Sequence, residues 1–325
     1  MKTKIISFVS LLLVAVMLLC SCSDEIARTD EEARIVATCG DYEIYYDEVR
    51  YLTVRYKADL EAMYGDYIFQ SDELGADYEA LLRELVTEAL LETYATLTVC
   101  ESADVCIDDS ATEDEVNEYV EETITMLGDK DAYVEYLADN GMSDAVFRFN
   151  AGLLSCQYRY FDVLLAELHR EAYDAVMAGE GFIRTMSIFV RNDEGESLSA
   201  NRAMAQTVVD AVRNGASVED YIGTRYNQDT SGCDYYFMRG YFIEEYESAA
   251  FALAVGEVSD VVEVSDGFYV IQRMEPDLGY LAANVDTYIA MYVSCRMNDN
   301  VAQAKSSLSI EWNELGSTLD LYAIS

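Results

Sequence analysis

Few side chains in this sequence are equipped for group-transfer chemistry, and their spacing narrows the options further. The single histidine, His169, sits in a charged helix-forming stretch with no second ligand near it. Cys39, Cys100, Cys106, Cys156, Cys233 and Cys295 show no metal-site spacing. Neither a metal nor a cofactor is expected. These six thiols are an even number, compatible with disulfides in an exported chain and with free thiols where the surroundings are reducing. The cysteine with chemistry of its own is Cys22. Lys2 and Lys4 precede an apolar stretch, Leu11 to Leu19, and then Leu19-Cys20-Ser21-Cys22, which is the plan of an export signal ending in a bacterial lipobox. Residues 1–21 are predicted to be removed and Cys22 to be lipidated as the new N-terminus. Cys20 fits less well, because Leu19 is larger than the small residue that such cleavage prefers. A plain secretory signal with incidental cysteines is the alternative.

The whole chain carries 21 basic and 61 acidic residues. Loss of Lys2 and Lys4 on cleavage takes the formal charge from −40 to about −42. Such a field repels polyanions, which argues against a nucleic-acid partner, and favours encounter with basic or neutral chains. Half the residues are apolar, so the bulk of the chain is not disordered. The roughly 300 residues after the signal exceed one typical core, so two domains are expected.

Any site must be positioned by the elements that the periodicities predict. Residues 22–33 are polar and acidic and read as a flexible tether. Ile35 to Thr38, the turn Cys39-Gly40-Asp41, and Tyr42 to Ile44 form a hairpin that feeds a helix at Asp47. Helices follow over Asp77–Val99, from Asp108 onward, and over Ala132–Ala138. The longest begins at Ser143, where Val146, Phe149, Leu153, Cys156, Tyr160 and Val163 step by three and four to about Val176. Gly179-Glu180-Gly181 marks a domain boundary. Beyond it come a β segment Phe182–Val190, a helix Ser199–Arg213, a shorter helix Val218–Tyr226 and a helix Glu244–Leu253. Strands Val258–Val264 and Phe268–Met274 then close around the turn Asp266-Gly267. The order suggests a compact α+β module over 181–275 after a mostly helical domain over 34–180. Past Pro276 the chain is helical again, on a face of Leu281, Val285, Tyr288, Ile289, Tyr292 and Arg296, and it ends in the β-leaning Leu308–Leu321.

Within the α+β module, Gly232-Cys233-Asp234-Tyr235-Tyr236-Phe237-Met238-Arg239-Gly240 is followed by Tyr241-Phe242-Ile243-Glu244-Glu245-Tyr246-Glu247-Ser248-Ala249-Ala250-Phe251. Gly256-Glu257-Val258-Ser259 and Gly267-Phe268-Tyr269-Val270-Ile271 come after. These stretches resemble the parvulin family of peptidyl-prolyl isomerases. The whole chain resembles the extracytoplasmic foldases of the PrsA and SurA kind. The loop between Asp234 and Tyr236 is one residue shorter than the family pattern. The stretch Glu113–Leu165 has the rhythm of the foldase chaperone domain, including a Gly-Met-Ser break before the long helix. The resemblance implies that residues 276–325 return to complete that domain, with the parvulin-like module inserted. It also implies an extracytoplasmic, lipid-anchored protein that assists the folding of exported polypeptides, its partners being unfolded chains and the membrane. A homodimer through the helical domain is compatible with it.

The chemistry so implied needs no nucleophile. Rotation about an X-Pro bond crosses a barrier of about 18–20 kcal/mol, and a catalyst must offer an apolar slot for the ring and polar groups that favour the twisted amide. By correspondence Phe242, Tyr246 and Phe251 line the slot, and Asp229 holds the acidic position beside it. The two positions where the family usually has histidines carry Ser187 and Tyr269, so both imidazoles are gone. A serine and a tyrosine can still hydrogen-bond each other or Asp229. Two functions follow as alternatives: an isomerase that also holds clients, and a non-catalytic holdase in which the module is a scaffold and the three aromatics are ordinary core. Binding of small molecules is disfavoured for want of a polar pocket signature.

Overall fold

The computed structural model describes residues 25–65, 68–70, 75–192, 197–227 and 233–324, and the chain is an α+β protein of two compact units. The first unit comprises the chain up to Tyr160 together with Ala302 onward; the second is Phe161–Val301. In chain order the first half forms β1 (Ile35–Cys39), β2 (Tyr42–Tyr45), α1 (Tyr46–Tyr64), α2 (Gly75–Ser102), α3 (Ser110–Leu127), α4 (Lys130–Asp139) and α5 (Asp144–Ala178). The second half forms β3 (Ile183–Arg191), α6 (Leu198–Arg213), β4 (Asp234–Phe237), α7 (Glu244–Ala252), β5 (Val262–Val264) and β6 (Gly267–Met274). It ends with α8 (Leu278–Ala283), α9 (Val285–Lys305), β7 (Ile310–Trp312) and α10 (Glu314–Ser317).

In the first unit a three-stranded antiparallel sheet, ordered β2-β1-β7, joins the chain's two ends. It backs onto a core in which Val36, Ile44, Val49, Leu82, Val86 and Leu90 are all buried. The leucines of α2 recur at helical spacing, so one broad face is apolar and packs against α1. Helix α3 starts where Asp109 accepts the amide of Thr112, and α4 where Asp129 accepts that of Ala132.

Residues 25–33, expected as part of a flexible tether, are instead docked on this unit. Ile26 packs against the cluster of Val120, Tyr133, Leu137 and Phe147, and its amide donates to Asp144 Oδ2 at 3.1 Å. Arg28 Nε reaches the buried Asp47 at 2.8 Å, and its guanidinium lies 4.2 Å from the Tyr45 ring centroid. A buried carboxylate demands such a partner, and composition alone does not show that Arg28 supplies it.

Three other expectations change in detail. Val218–Tyr226 is only a 3-10 turn over Val218–Tyr221, because the chain turns at Gly223, where φ is +70°. The strand expected over Val258–Val264 is reduced to β5 and a single bridge from Val258 to Gln272. Ser259 interrupts it, its hydroxyl taking the Ile271 amide at 3.0 Å. In the β-leaning Leu308–Leu321 the strand lasts three residues, after which Asn313 caps α10 by accepting the Gly316 amide. The six cysteines Cys39, Cys100, Cys106, Cys156, Cys233 and Cys295 form no disulfide among the described residues, and all but Cys106 are buried.

The units do not divide at the expected 180/181 boundary. Gly179 and Gly181, both at positive φ, end α5, yet α5 has already entered the second unit at Phe161. Likewise α9 belongs to the second unit as far as Val301, where Tyr288, Ile289 and Tyr292 pack with Ala172, Val176 and Phe182. Only Ala302 onward returns to the first unit. Those last residues close the sheet at tight quarters: a Cβ on Gly316 would stand 2.1 Å from the Val36 carbonyl oxygen and 2.8 Å from the Trp312 ring. Gly316→Ala is expected to cost about 1–3 kcal/mol by overpacking, read as a lower midpoint in urea unfolding; an unchanged midpoint would show that β7 and α10 are not needed to close the unit.

Candidate functional site

The second unit is built on a four-stranded antiparallel sheet ordered β4-β3-β6-β5. Alternation along β3 divides its side chains between two faces. Met186, Ile188 and Val190 pack with Val208, Val209 and Val212 of α6. Thr185, Ser187 and Phe189 take the opposite face, beneath α7. Cross-strand pairing adds Tyr235 opposite Thr185, Ile271 opposite Ser187 and Tyr269 opposite Phe189.

Helix α7 opens without a side-chain cap, but Glu244, Glu245 and Glu247 in its first turn suit the positive end of the helix dipole. Glu247 is buried, and its carboxylate accepts three amides: Gly240 at 3.0 Å, Tyr241 at 2.8 Å and Phe242 at 2.9 Å. The left-handed Gly240, with φ +85°, lets the chain turn so that these amides converge. One carboxylate therefore fixes the loop that presents Phe242. Charge-assisted bonds of this kind are short and about twice as strong as neutral ones.

Ser187, Tyr246, Tyr269, Phe242 and Phe251 all meet on this face. Tyr246 is at its centre and only 2% exposed. Its ring lies 4.9 Å from Phe242, 5.8 Å from Phe237 and 5.0 Å from Tyr269. Its hydroxyl donates to Ser187 Oγ at 3.1 Å and stands 2.9 Å from Thr185 Oγ1. Burial pushes the Tyr246 phenol up to about 12, with the Ser187 and Thr185 bonds pulling the other way. One of the two positions where the resemblance implies histidine is thus occupied by a serine whose hydroxyl is already bonded inside the core. Tyr269, at the other, is half-buried and stacks on Phe189 at 4.5 Å. Phe251 is half-buried beneath Arg239, whose guanidinium is 4.1 Å from the ring centroid, and Arg273 lies at 5.9 Å. Asn227 accepts the Phe189 amide at 3.3 Å and donates to Cys233 Sγ at 3.1 Å. Asp229 lies outside the described residues, as does Cys22.

Thr185 and Glu247 were not singled out from the sequence. Thr185 could have been found two residues before Ser187, on the same side of the strand. Glu247 had no such signal, because it follows two other acidic residues in the same helical turn.

The first unit carries a second feature, an open groove of about 620 Å³. Leu52 and Tyr56 of α1, Leu85 of α2, and Leu153 and Leu154 of α5 line it. Leu154 is 44% exposed. In its lining Lys305 Nζ bridges Glu88 and Glu92, the latter at 3.0 Å, and these carboxylates hold the ammonium pKa above its usual range. Arg55, Asn150 and Gln157 also line it, so leucine side chains alternate with polar groups along the groove.

No protein-family model and no curated protein matches the chain. Among solved structures, the foldase protein PrsA of Streptococcus pneumoniae is 19% identical, with a TM-score of 0.35, covering 67% of this chain and 83% of that one. The peptidylprolyl isomerase PrsA of Bacillus anthracis is 18% identical, with a TM-score of 0.30 and coverages of 67% and 96%. A SurA-like chaperone of Campylobacter jejuni is 9% identical, with a TM-score of 0.26 and coverages of 86% and 99%. The chain is similar to foldases of the PrsA and SurA kind.

Removing the Tyr246 hydroxyl leaves Thr185 and Ser187 buried with one partner fewer. Tyr246→Phe is expected to destabilise the protein by about 1–3 kcal/mol, measured by denaturant unfolding. The phenol's folded pKa lies above its unfolded value of about 10. Its contribution is therefore complete below pH 10 and is lost as the pH rises through about 12. A difference titration at the tyrosinate band against Tyr246→Phe should show one phenol ionising late; ionisation near pH 10 would mean that the hydroxyl is not sealed in the core.

Proposed function

We propose that this protein is an extracytoplasmic chaperone, anchored by lipid at Cys22, that holds unfolded exported polypeptides in the groove of its first unit. In this reading the parvulin-like module is a packed scaffold rather than a working isomerase. The observation that carries it is the contrast between the two candidate sites. The groove is open and of mixed lining, with leucines beside Arg55, Asn150 and Gln157 and with Leu154 exposed on its wall. On the α7 face, the Tyr246 ring is enclosed by other aromatics, and its hydroxyl is already bonded to Ser187. A ring that fills the core cannot also receive a prolyl ring, and a hydroxyl bonded there has less to offer a twisted amide.

The charge supports the same reading. With about −42 formal charges the protein attracts basic and neutral chains and resists self-association. Lys305 is paired with Glu88 and Glu92 in the groove's lining, and the leucines beside them offer apolar contact to exposed segments of an unfolded client.

Catalysis remains the second reading, favoured by one observation: Phe242, Phe251 and Tyr269 at the rim of the α7 face are half-buried, not sealed. In that case Asp229, Ser187 and Tyr269 supply the polar surround, with Phe242, Tyr246 and Phe251 as the slot.

A protease-coupled proline turnover assay separates the two. The scaffold reading expects a rate equal to buffer alone, and any acceleration abolished by Phe242→Ala would overturn it. In parallel, Leu154→Asp places a charge on the groove wall at an exposed position and should leave the unfolding midpoint within about 0.5 kcal/mol of the parent. It should weaken suppression of aggregation of a denatured client several-fold. Full suppression by that variant would remove the groove from the mechanism.

A further inference from the structure

Residues 25–28 lie on the first unit in the manner of a bound peptide. Among the described residues, none of their main-chain groups bonds to another main-chain group of the unit. Three anchors hold them instead. Ile26 packs against Val120, Tyr133, Leu137 and Phe147, and its amide donates to Asp144 Oδ2 at 3.1 Å. Arg28 Nε donates to Asp47 Oδ2 at 2.8 Å, with the Tyr45 ring centroid 4.2 Å from its guanidinium. Ala27 between them is exposed. Inward anchors at alternate positions are how a surface reads an extended segment.

This surface asks for more than Arg28 gives it. Asp47 is fully buried, yet its Oδ1 has no partner among the described residues, whereas Oδ2 takes both Arg28 and Ser143. Arg28 Nη2 stops 3.8 Å from Glu48, beyond hydrogen-bond reach. A guanidinium can meet a carboxylate through two parallel bonds, and here it makes one. The segment is therefore an incomplete match to a surface that, once emptied, would hold a buried carboxylate in need of a cation. Helix α3, which supplies Val120, also exposes Glu115, Glu118 and Glu122. The local field thus favours a basic guest.

We propose that this surface is a second client site, occupied by residues 26–28 until they are displaced by an extended client segment carrying a branched aliphatic residue two places before an arginine. The proposal rests on the reading of the protein as a holder of unfolded polypeptides and adds a sequence preference to it. Because the resident segment is tethered, it competes at an effective concentration on the order of millimolar, which keeps the site closed to weaker guests.

The test uses the full chain and the peptide acetyl-Ser-Ile-Ala-Arg-Thr-Lys-amide. In the parent, unlabelled peptide at about 5 mM, enough to outcompete a tethered segment, should speed hydrogen exchange of the Ile26 amide at least threefold. The same peptide with glutamine in place of arginine should leave that exchange unchanged. Ile26→Ser/Arg28→Gln should bind peptide labelled with fluorescein on its lysine at least tenfold tighter than the parent does, read by anisotropy. Ile26 exchange that the arginine peptide does not alter would overturn the proposal even if the double variant failed to fold. Equal affinity of the parent and a folded double variant would also overturn it. If Leu154→Asp abolishes peptide binding while the Ile26 amide stays protected, the peptide sits in the groove; this site then falls and the holdase reading stands. Displacement of residues 26–28 in a protein that does not suppress aggregation would keep the site and remove the holdase reading. Sedimentation showing a parent dimer that Ile26→Ser/Arg28→Gln converts to monomer would make a second copy the occupant and overturn the client.

Discussion

The antiparallel ladder between β3 and β6, running from Arg184 opposite Met274 to Arg191 opposite Gly267, is the constraint on which the second unit depends. Because side chains alternate, this one register sends Met186, Ile188 and Val190 to the α6 core. It sends Thr185, Ser187 and Phe189 beneath α7. A slip by one residue would exchange the two sets and bury hydroxyls against valines. The Gly267 end of the ladder is tight: a Cβ there would meet the Val190 carbonyl oxygen at 2.4 Å and the Phe189 ring at 2.6 Å. The turn itself is Ser265-Asp266, and Gly267, the first residue of β6, lets the Phe189 ring and the Val190 carbonyl come close.

Basic residues are scarce in this chain, and several of them are spent where carboxylates need them. Arg28 meets the fully buried Asp47, and Arg148 meets Asp144, itself only 3% exposed. Arg184 holds Asp234 through two bonds of 2.8 Å and 2.7 Å across neighbouring strands. With 61 acidic and 21 basic residues, most carboxylates cannot have a basic partner at all. Paired charges therefore organise the fold where carboxylates are buried.

The two sites differ in how they use aromatic area. On the α7 face the rings satisfy one another, with Phe237, Phe242 and Tyr246 packed in tilted and edge-on geometry. In the first unit Leu153 and Leu154 of α5 and Leu85 of α2 keep part of their surface toward an open groove. Exposed apolar area of that kind is what a chaperone offers and what a finished core removes.

The sequence by itself determined the alternation of β3, the helical periods of α2 and α5, the β5-β6 hairpin and the order of elements, because each is a local property of spacing and turn chemistry; the hairpin's turn falls on Ser265-Asp266 rather than on the expected Asp266-Gly267. It also carried the gathering of Ser187, Tyr246, Tyr269, Phe242 and Phe251 onto one face, by way of the family resemblance. Tertiary structure alone decided that Tyr246 is sealed by a hydroxyl bond to Ser187, that Glu247 rather than either neighbouring glutamate wires the Phe242 loop, and that residues 25–33 dock on the first unit instead of hanging free. It likewise decided that α5 and α9 each pass from one unit into the other. These depend on which faces meet across long separations in the chain, and a helical or strand period says which side chains share a face but not what that face will touch.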